Sequence, residues 1–265
     1  MTTNIWGSDA QSPLIVASGL PPAGQALFDA ADSGGAEVGV ISYKNGQASV
    51  SFFDHMGVPT AARPTSVLAT GGAALAEVAI SATGILGYGA GWIEAGTNVI
   101  KAQYFGAVGA YGVPVTLGTG HGLDMAGYSR NDAAGKKPAV DGFVASWIGT
   151  DGNVYFQRAG VHLNNAADSI GSVSAAGLDG IPGSRPVGAT SSANTDNDAA
   201  IKVTTSGQAS EASVAVTHSG EVILAWTEHG ATGDTLSFKV LNADGTENFA
   251  ATLPTTLPAG AHVDT

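Results

Sequence analysis

Cysteine is absent from the chain. That removes disulfide frameworks, zinc knuckles, iron–sulfur clusters and thiol nucleophiles. Charge is scarce as well: 12% of the 265 residues are charged, about half of the ~25% usual in globular domains. Basic residues are the scarcest, with 10 Lys and Arg against 22 Asp and Glu and a net charge of -12. A balance this acidic argues against nucleic acid or anionic lipid as a partner. Long apolar runs are missing too. One uncharged apolar run, Val78 to Ile93, lies between Glu77 and Glu94. It is short for a bilayer span and too rich in glycine for a stable lipid-facing helix, so no membrane span is expected. Met1 to Trp6 carries no basic stretch and no adequate apolar core follows, so no secretory signal peptide is read there.

Catalytic signatures are equally thin. The sequence holds no HExxH, no G-x-S-x-G elbow, no Walker A loop and no G-x-G-x-x-G ahead of a helix. Gly87 to Gly91 is glycine-rich but lies within a strand pattern, where it reads as a bulge or a close sheet contact. The expectation is a chain with no catalytic and no cofactor-binding residues.

What the sequence does hold is 44% hydrophobic residues, 38 glycines and abundant Val, Thr and Ser. This is too apolar for a disordered acidic tail, and the length allows one large β domain. An internal repeat gives it form. Glu77 to Gly84 aligns with Ser213 to Gly220, each an alternating strand ending in a Gly turn. Apolar runs closing on Trp92 and Trp226 follow, a third copy closes on Trp147, and a degenerate first copy ends at Tyr43. After each aromatic comes a polar turn, for example Lys44-Asn45-Gly46 or Thr150-Asp151-Gly152-Asn153, and then a second strand: 48–54, 99–105, 154–158 and 236–241. Alternation bounded by Asn-Gly and Asp-Gly turns is a hairpin signal.

The four aromatics are spaced by 49, 55 and 79 residues. Two gaps match a four-stranded unit of about 50 residues. The expected fold is therefore all-β, with about four such units over 12–62, 63–118, 137–172 and 200–250 in a propeller-like arrangement. A β-sandwich array is the alternative. The long third gap holds 164–198, rich in Ser, Ala, Gly and Asn, which reads as a loop-like insertion. One large aromatic per unit is expected to pack between neighbouring sheets. Exposed rings would instead form a stacking platform for carbohydrate.

The repeats GYGAGWIEAGTNVIKAQYFGAVG (87–109), DGFVASWIGTDGNVYFQRAG (141–160) and SGEVILAWTEHGATGDTLSFKVLNADGT (219–246) resemble the repeat region of large exported bacterial surface proteins of the RTX kind. There, GGFVVTW…AQRFDADG-type segments recur. Gln103-Tyr104-Phe105 and Phe156-Gln157-Arg158 stand where that family has its QRF strand. The resemblance implies a secreted or surface-anchored adhesin or matrix component, exported without an N-terminal signal peptide. The family's GGxGxDxUx calcium nonapeptide is absent here, so calcium by that mechanism is not expected.

Calcium elsewhere stays open, because it takes oxygen ligands from Asp, Asn and carbonyls in turns. Asp151 with Asn153, Asp196-Asn197-Asp198, and Asp244 supply such loops. Each is read more simply as a hairpin turn closed by its own side chain. Asp196 to Asp198, within the irregular segment, is the first place to look for the ion. His121 and Asp124 form a weaker pair of candidate ligands. Glu94 and Glu228 both follow a repeat Trp by two residues, which points to repeated turn chemistry rather than a catalytic carboxylate pair. The functional expectation is a non-catalytic extracellular structural or adhesive module that associates with itself or with other surface or matrix proteins. A carbohydrate-binding propeller, a propeller glycosidase and a viral or filament subunit are the alternatives.

Overall fold

The computed structural model describes residues 27–33, 37–61, 63, 65–68, 70–83, 87–106, 109–131, 138–162, 200–217, 221–230, 233–242 and 247–252. At 111, 112, 128–131, 138–141 and 159–162 it describes the backbone alone. The described chain is all-β and its strand pairs are antiparallel. No helix among the described residues is long and apolar enough to cross a membrane.

Strands β1 (Leu27–Asp32), β2 (Glu37–Lys44), β3 (Gln47–Asp54) and β4 (Ser66–Val67) form a first meander. Its central hairpin closes on Asn45 and Gly46, both at positive φ (53° and 79°), the two-residue turn that the Asn-Gly pair favours. β5 (Leu75–Ala82), β6 (Tyr88–Glu94), β7 (Val99–Gly106) and the first half of β8 (Gly109–Asn131) form the second. The second half of β8 then opens the third, with β9 (Pro138–Gly149), β10 (Val154–His162) and β11 (Ile201–Lys202). β12 (Ala209–Val216), β13 (Val222–Gly230), β14 (Gly233–Leu241) and β15 (Glu247–Thr252) complete the fourth. The second and third meanders are thus one seven-stranded sheet hinged in β8. β8 pairs with β7 as far as Thr119 and with β9 from Gly120 onward.

The third meander therefore takes its first strand from 120–131, ahead of the 137–172 range expected for that unit. His121 lies in this strand rather than in a loop. The insertion expected at 164–198 lies outside the described residues.

Each meander stacks on the next through an apolar cluster. Ile41, Val50 and Phe52 of the first meet Ile80, Tyr88, Trp92 and Phe105 of the second. Ile100, Ala102 and Tyr104 of the second meet Met125, Phe143 and Trp147 of the third. Val144, Ile148 and Phe156 of the third meet Val214, Leu224 and Trp226 of the fourth. Each junction thus holds one tryptophan, contributed by the later meander, and these three are 0%, 2% and 7% exposed. Gly89 and Gly91 on β6 make room at the second junction. A Cβ at Gly89 would stand 2.3 Å from the Phe143 ring, and one at Gly91 would stand 2.7 Å from the Met125 sulfur. The glycine-rich run is a close sheet contact.

The register corrects two details of the repeat. Val78 pairs with Trp92, and Ala212 pairs with Trp226. Hence Glu77 corresponds to Glu211, two residues before the Ser213 that the sequence alignment chose. The irregularity after Leu75 recurs after Ala209, and Thr83 and Thr217 close equivalent turns onto Gly87 and Glu221. Tyr43 is not the first copy of the tryptophans. It packs toward the second meander, whereas each tryptophan points back toward the preceding one. The residue at the tryptophan position in the first meander is Ser42.

Candidate functional site

The first strands of successive meanders lie side by side, and carboxylates join them. Asp29 accepts the Ala30 N–H at Oδ1 and the Ile80 N–H at Oδ2, both at 2.8 Å. Asp124 repeats this geometry one junction pair later. Its Oδ1 accepts the Met125 N–H, and its Oδ2 accepts both the Val214 N–H and the Ser213 hydroxyl, all at 2.8 Å. The two positions are register equivalents, since Asp29 pairs with Ile41 and Asp124 with Ser146. In the second meander that position is Ala79. There Glu77 takes over, accepting the Gly122 N–H at Oε1 (3.1 Å) and the Leu123 N–H at Oε2 (2.8 Å). All three junctions therefore carry the same device: an ionisable oxygen pair on one first strand satisfies backbone N–H groups of the next. Buried N–H groups need such partners, and acceptors that carry charge are the stronger ones.

Burial raises the Asp29 carboxyl above its ordinary range. The Ile80 and Ala30 N–H groups oppose that rise, and the negative charge of Asp124 adds a smaller push. A raised carboxyl beside a second one is the arrangement of a general acid–base pair. Here both oxygens of each carboxylate are committed to N–H or O–H donors, so what the geometry provides is a joint.

Asp151 and Asn153 sit in the β9–β10 turn. Asp151 Oδ1 accepts the Asn153 N–H (3.2 Å), and Oδ2 accepts the Tyr155 hydroxyl (2.9 Å) and the Lys202 ammonium (2.8 Å). The Asn153 Oδ1 accepts the Gly207 N–H (2.9 Å) and the Thr204 hydroxyl (3.2 Å). The bond to Lys202 holds the Asp151 carboxyl well below the usual carboxylate range, and the same pair raises the Lys202 ammonium. The turn is thus tied both by its own side chains and by Lys202, Thr204 and Gly207 of the following segment. Asp196, Asn197, Asp198 and Asp244 lie outside the described residues. Among the described residues no group of three or more His, Asp or Glu side chains lies together. His121 is exposed, while Asp124 is turned into the joint to β12.

Glu94 and Glu228 occupy equivalent positions, paired with Leu75 and Ala209. Each is held locally: Glu94 by Lys101 at 2.6 Å, Glu228 by the Ser206 hydroxyl at 2.6 Å. Trp92, Trp147 and Trp226 are enclosed in the junctions and offer no platform for a sugar ring. Tyr155 stacks on Trp147 at 5.9 Å, and the Lys202 ammonium stands 6.0 Å from its ring centre.

Sequence reasoning missed Asp29, Glu77 and Asp124 as a set. Their one signal is a carboxylate within a first strand, and β1 carries a second one, Asp32, that gives the same signal.

No protein-family model matches this chain, and no curated protein matches it. Among solved structures it is similar to one described as "Structural and Mechanistic Analysis of Two Prolyl Endopeptidases: Role of Inter-Domain Dynamics in Catalysis and Specificity", with 13% identity and a TM-score of 0.45. The likeness covers 88% of this chain and 29% of that one. A likeness at that level carries no argument about activity.

Proposed function

We propose that the chain is a non-catalytic structural or adhesive module of the cell exterior, its four meanders arranged as successive units of a propeller-like array. The observation that carries this reading is the set of three carboxylate joints. The acidic side chains best placed for chemistry, Asp29, Glu77 and Asp124, are spent on backbone N–H groups of the neighbouring meander. A stack jointed in this way is stiff and holds its hairpin turns at fixed spacing, which is what a spacer or adhesive surface needs. The resemblance to RTX-type repeats and the low charge support an exported setting. Its partners are then surface or matrix proteins, or polysaccharide met at the hairpin tips.

The test is attachment. Beads coated with the folded chain are expected to be retained under flow on protein- or polysaccharide-coated glass more strongly than beads coated with heat-unfolded chain. Equal retention on every surface tried would sink the adhesive reading. Turnover of glycoside substrates that is lost in Asp29→Asn would replace it with the hydrolase reading.

A further inference from the structure

We infer that Asn45 is a site of spontaneous covalent modification, at which the chain converts its own asparagine to isoaspartate and so opens its first hairpin. The inference is independent of the adhesive reading above.

Asn45 and Gly46 are the two loop residues between β2 and β3, with Lys44 paired to Gln47 behind them. All four are exposed, and this is the one Asn-Gly step in the sequence. Two groups on it are set to react. The Asn45 side-chain amide holds an electrophilic carbon, Cγ. The Gly46 backbone nitrogen is the nucleophile that reaches it by closing a small ring. Neither the Asn45 side chain nor the Gly46 N–H is engaged in a hydrogen bond. A Cβ at Gly46 would meet nothing within 4 Å. Nothing therefore blocks rotation of that peptide unit, and Gly46 has no side chain of its own to shield the nitrogen.

The fold withholds the same reaction elsewhere. At Asp151-Gly152 the Gly152 N–H is donated to the Gly149 carbonyl at 2.9 Å. The Asp151 carboxylate is held by Lys202 and Tyr155, and an ionised carboxylate is a poor electrophile. Asn153 is buried, and the Val154 N–H that follows it is donated to the Thr204 hydroxyl at 3.0 Å. Asn98 shares the positive φ of Asn45, 54° against 53°. β-branched Val99 follows it, however, and the Val99 N–H is donated to the Thr97 hydroxyl at 3.4 Å. The Asn248 amide donates to Glu221 at 3.3 Å, and bulky Phe249 follows it. Asn45 alone among these combines a free side-chain amide, an undonated following N–H and a following glycine.

The step balances with water as its only co-reactant. The Gly46 nitrogen loses its proton to hydroxide and attacks Asn45 Cγ. A C–N bond forms, the bond from Cγ to the side-chain nitrogen breaks, and ammonia leaves. Water then opens the resulting cyclic imide at either carbonyl. One opening leaves an ordinary aspartate. The other routes the main chain through the former side chain, which is isoaspartate and adds a methylene to the backbone. Loop length and turn type fix the register of a hairpin, so an added backbone atom in this two-residue loop pulls Lys44 and Gln47 out of pairing. Strands β2 and β3 carry Ile41, Tyr43, Ala48, Val50 and Phe52 onto the second meander. The modification therefore loosens the first junction from its tip, and it places a new negative charge beside Lys44.

The experiment follows the full chain stored in mildly alkaline buffer. Peptide mapping with electron-transfer fragmentation separates aspartate from isoaspartate. Ammonia loss at Asn45 should outpace that at Asn98, Asn153 and Asn248 severalfold and rise in proportion to hydroxide, with isoaspartate the larger product. Amide hydrogen exchange in β2 and β3 should be faster in the stored chain than in the fresh one. Asn45→Gly, whose Gly-Gly step suits the same turn, should show no such change on storage. Freshly made Asn45→Asp carries the charge without the added backbone atom and should exchange like the fresh chain. An Asn45 that keeps its amide as long as Asn98 does overturns the proposal. Aspartate as the sole product also overturns it, because direct hydrolysis would then replace cyclisation. A stored chain rich in isoaspartate whose β2 and β3 amides exchange as slowly as before overturns the opening of the hairpin.

Discussion

Three residues show how this chain spends its few charges. Asp151 gains a partner in Lys202, which depresses its carboxyl pKa. A depressed folded value gives stability that is present above the ordinary carboxyl range and lost as pH falls through the folded value. Lys202→Met should return the Asp151 carboxyl toward its ordinary pKa in an NMR titration; a carboxyl that stays depressed would show that Lys202 is not the cause. Asp29 runs the other way. Burial raises its pKa, so stability falls as pH rises from the ordinary carboxyl value to the folded one. Asp29→Asn should flatten that part of the urea-midpoint profile. Its cost near neutrality should be about 1 kcal/mol, since the amide oxygen can keep the Ile80 bond. Tyr88 is the alkaline counterpart. Its buried hydroxyl donates to the Glu37 carbonyl at 2.8 Å, and burial pushes its pKa up to about 12. The unfolded chain ionises first, so stability should drop between about pH 10 and 12, and Tyr88→Phe should remove that drop.

Within the elements, the junction tryptophans and one glycine carry the strain of close stacking. Trp147→Ala should cost about 3–5 kcal/mol, read from the shift in denaturant midpoint, because the ring is 2% exposed between two meanders. Gly127 on β8 passes so close to β5 that a Cβ would fall 1.7 Å from the Ala82 carbonyl oxygen. Gly127→Ala should therefore push the third first strand off the second, with a loss exceeding the few tenths of a kcal/mol typical of surface changes. At this scale much was legible in the sequence. The turns, the paired strands and the tryptophan of the last three units are written as Asn-Gly and Asp-Gly steps, alternation and Trp92, Trp147 and Trp226. The register was not. Sliding the Glu77 strand by two residues against its repeat leaves every side chain on its own face, so the apolar pattern cannot separate Glu211 from Ser213. Tyr43 misleads for the opposite reason: an aromatic at the strand end looks the same whichever face it takes. The joints were hidden as well, because a carboxylate that caps a neighbouring strand is defined by a contact between segments 51 residues apart for Asp29 and 90 for Asp124.

For the whole molecule, four meanders stacked with one polarity make an array in which each unit is stabilised mainly by its neighbours. Loss of one joint should then loosen one junction more than the rest. Amide hydrogen exchange of Asp124→Ala, which removes the acceptor outright, against the unchanged chain tests this most directly. The account predicts faster exchange at Val214, whose N–H Asp124 accepts, with Ile80 and Leu123 on the other two joints unchanged. Exchange at Val214 that stays as slow as in the unchanged chain would contradict the claim that these carboxylates hold the stack together.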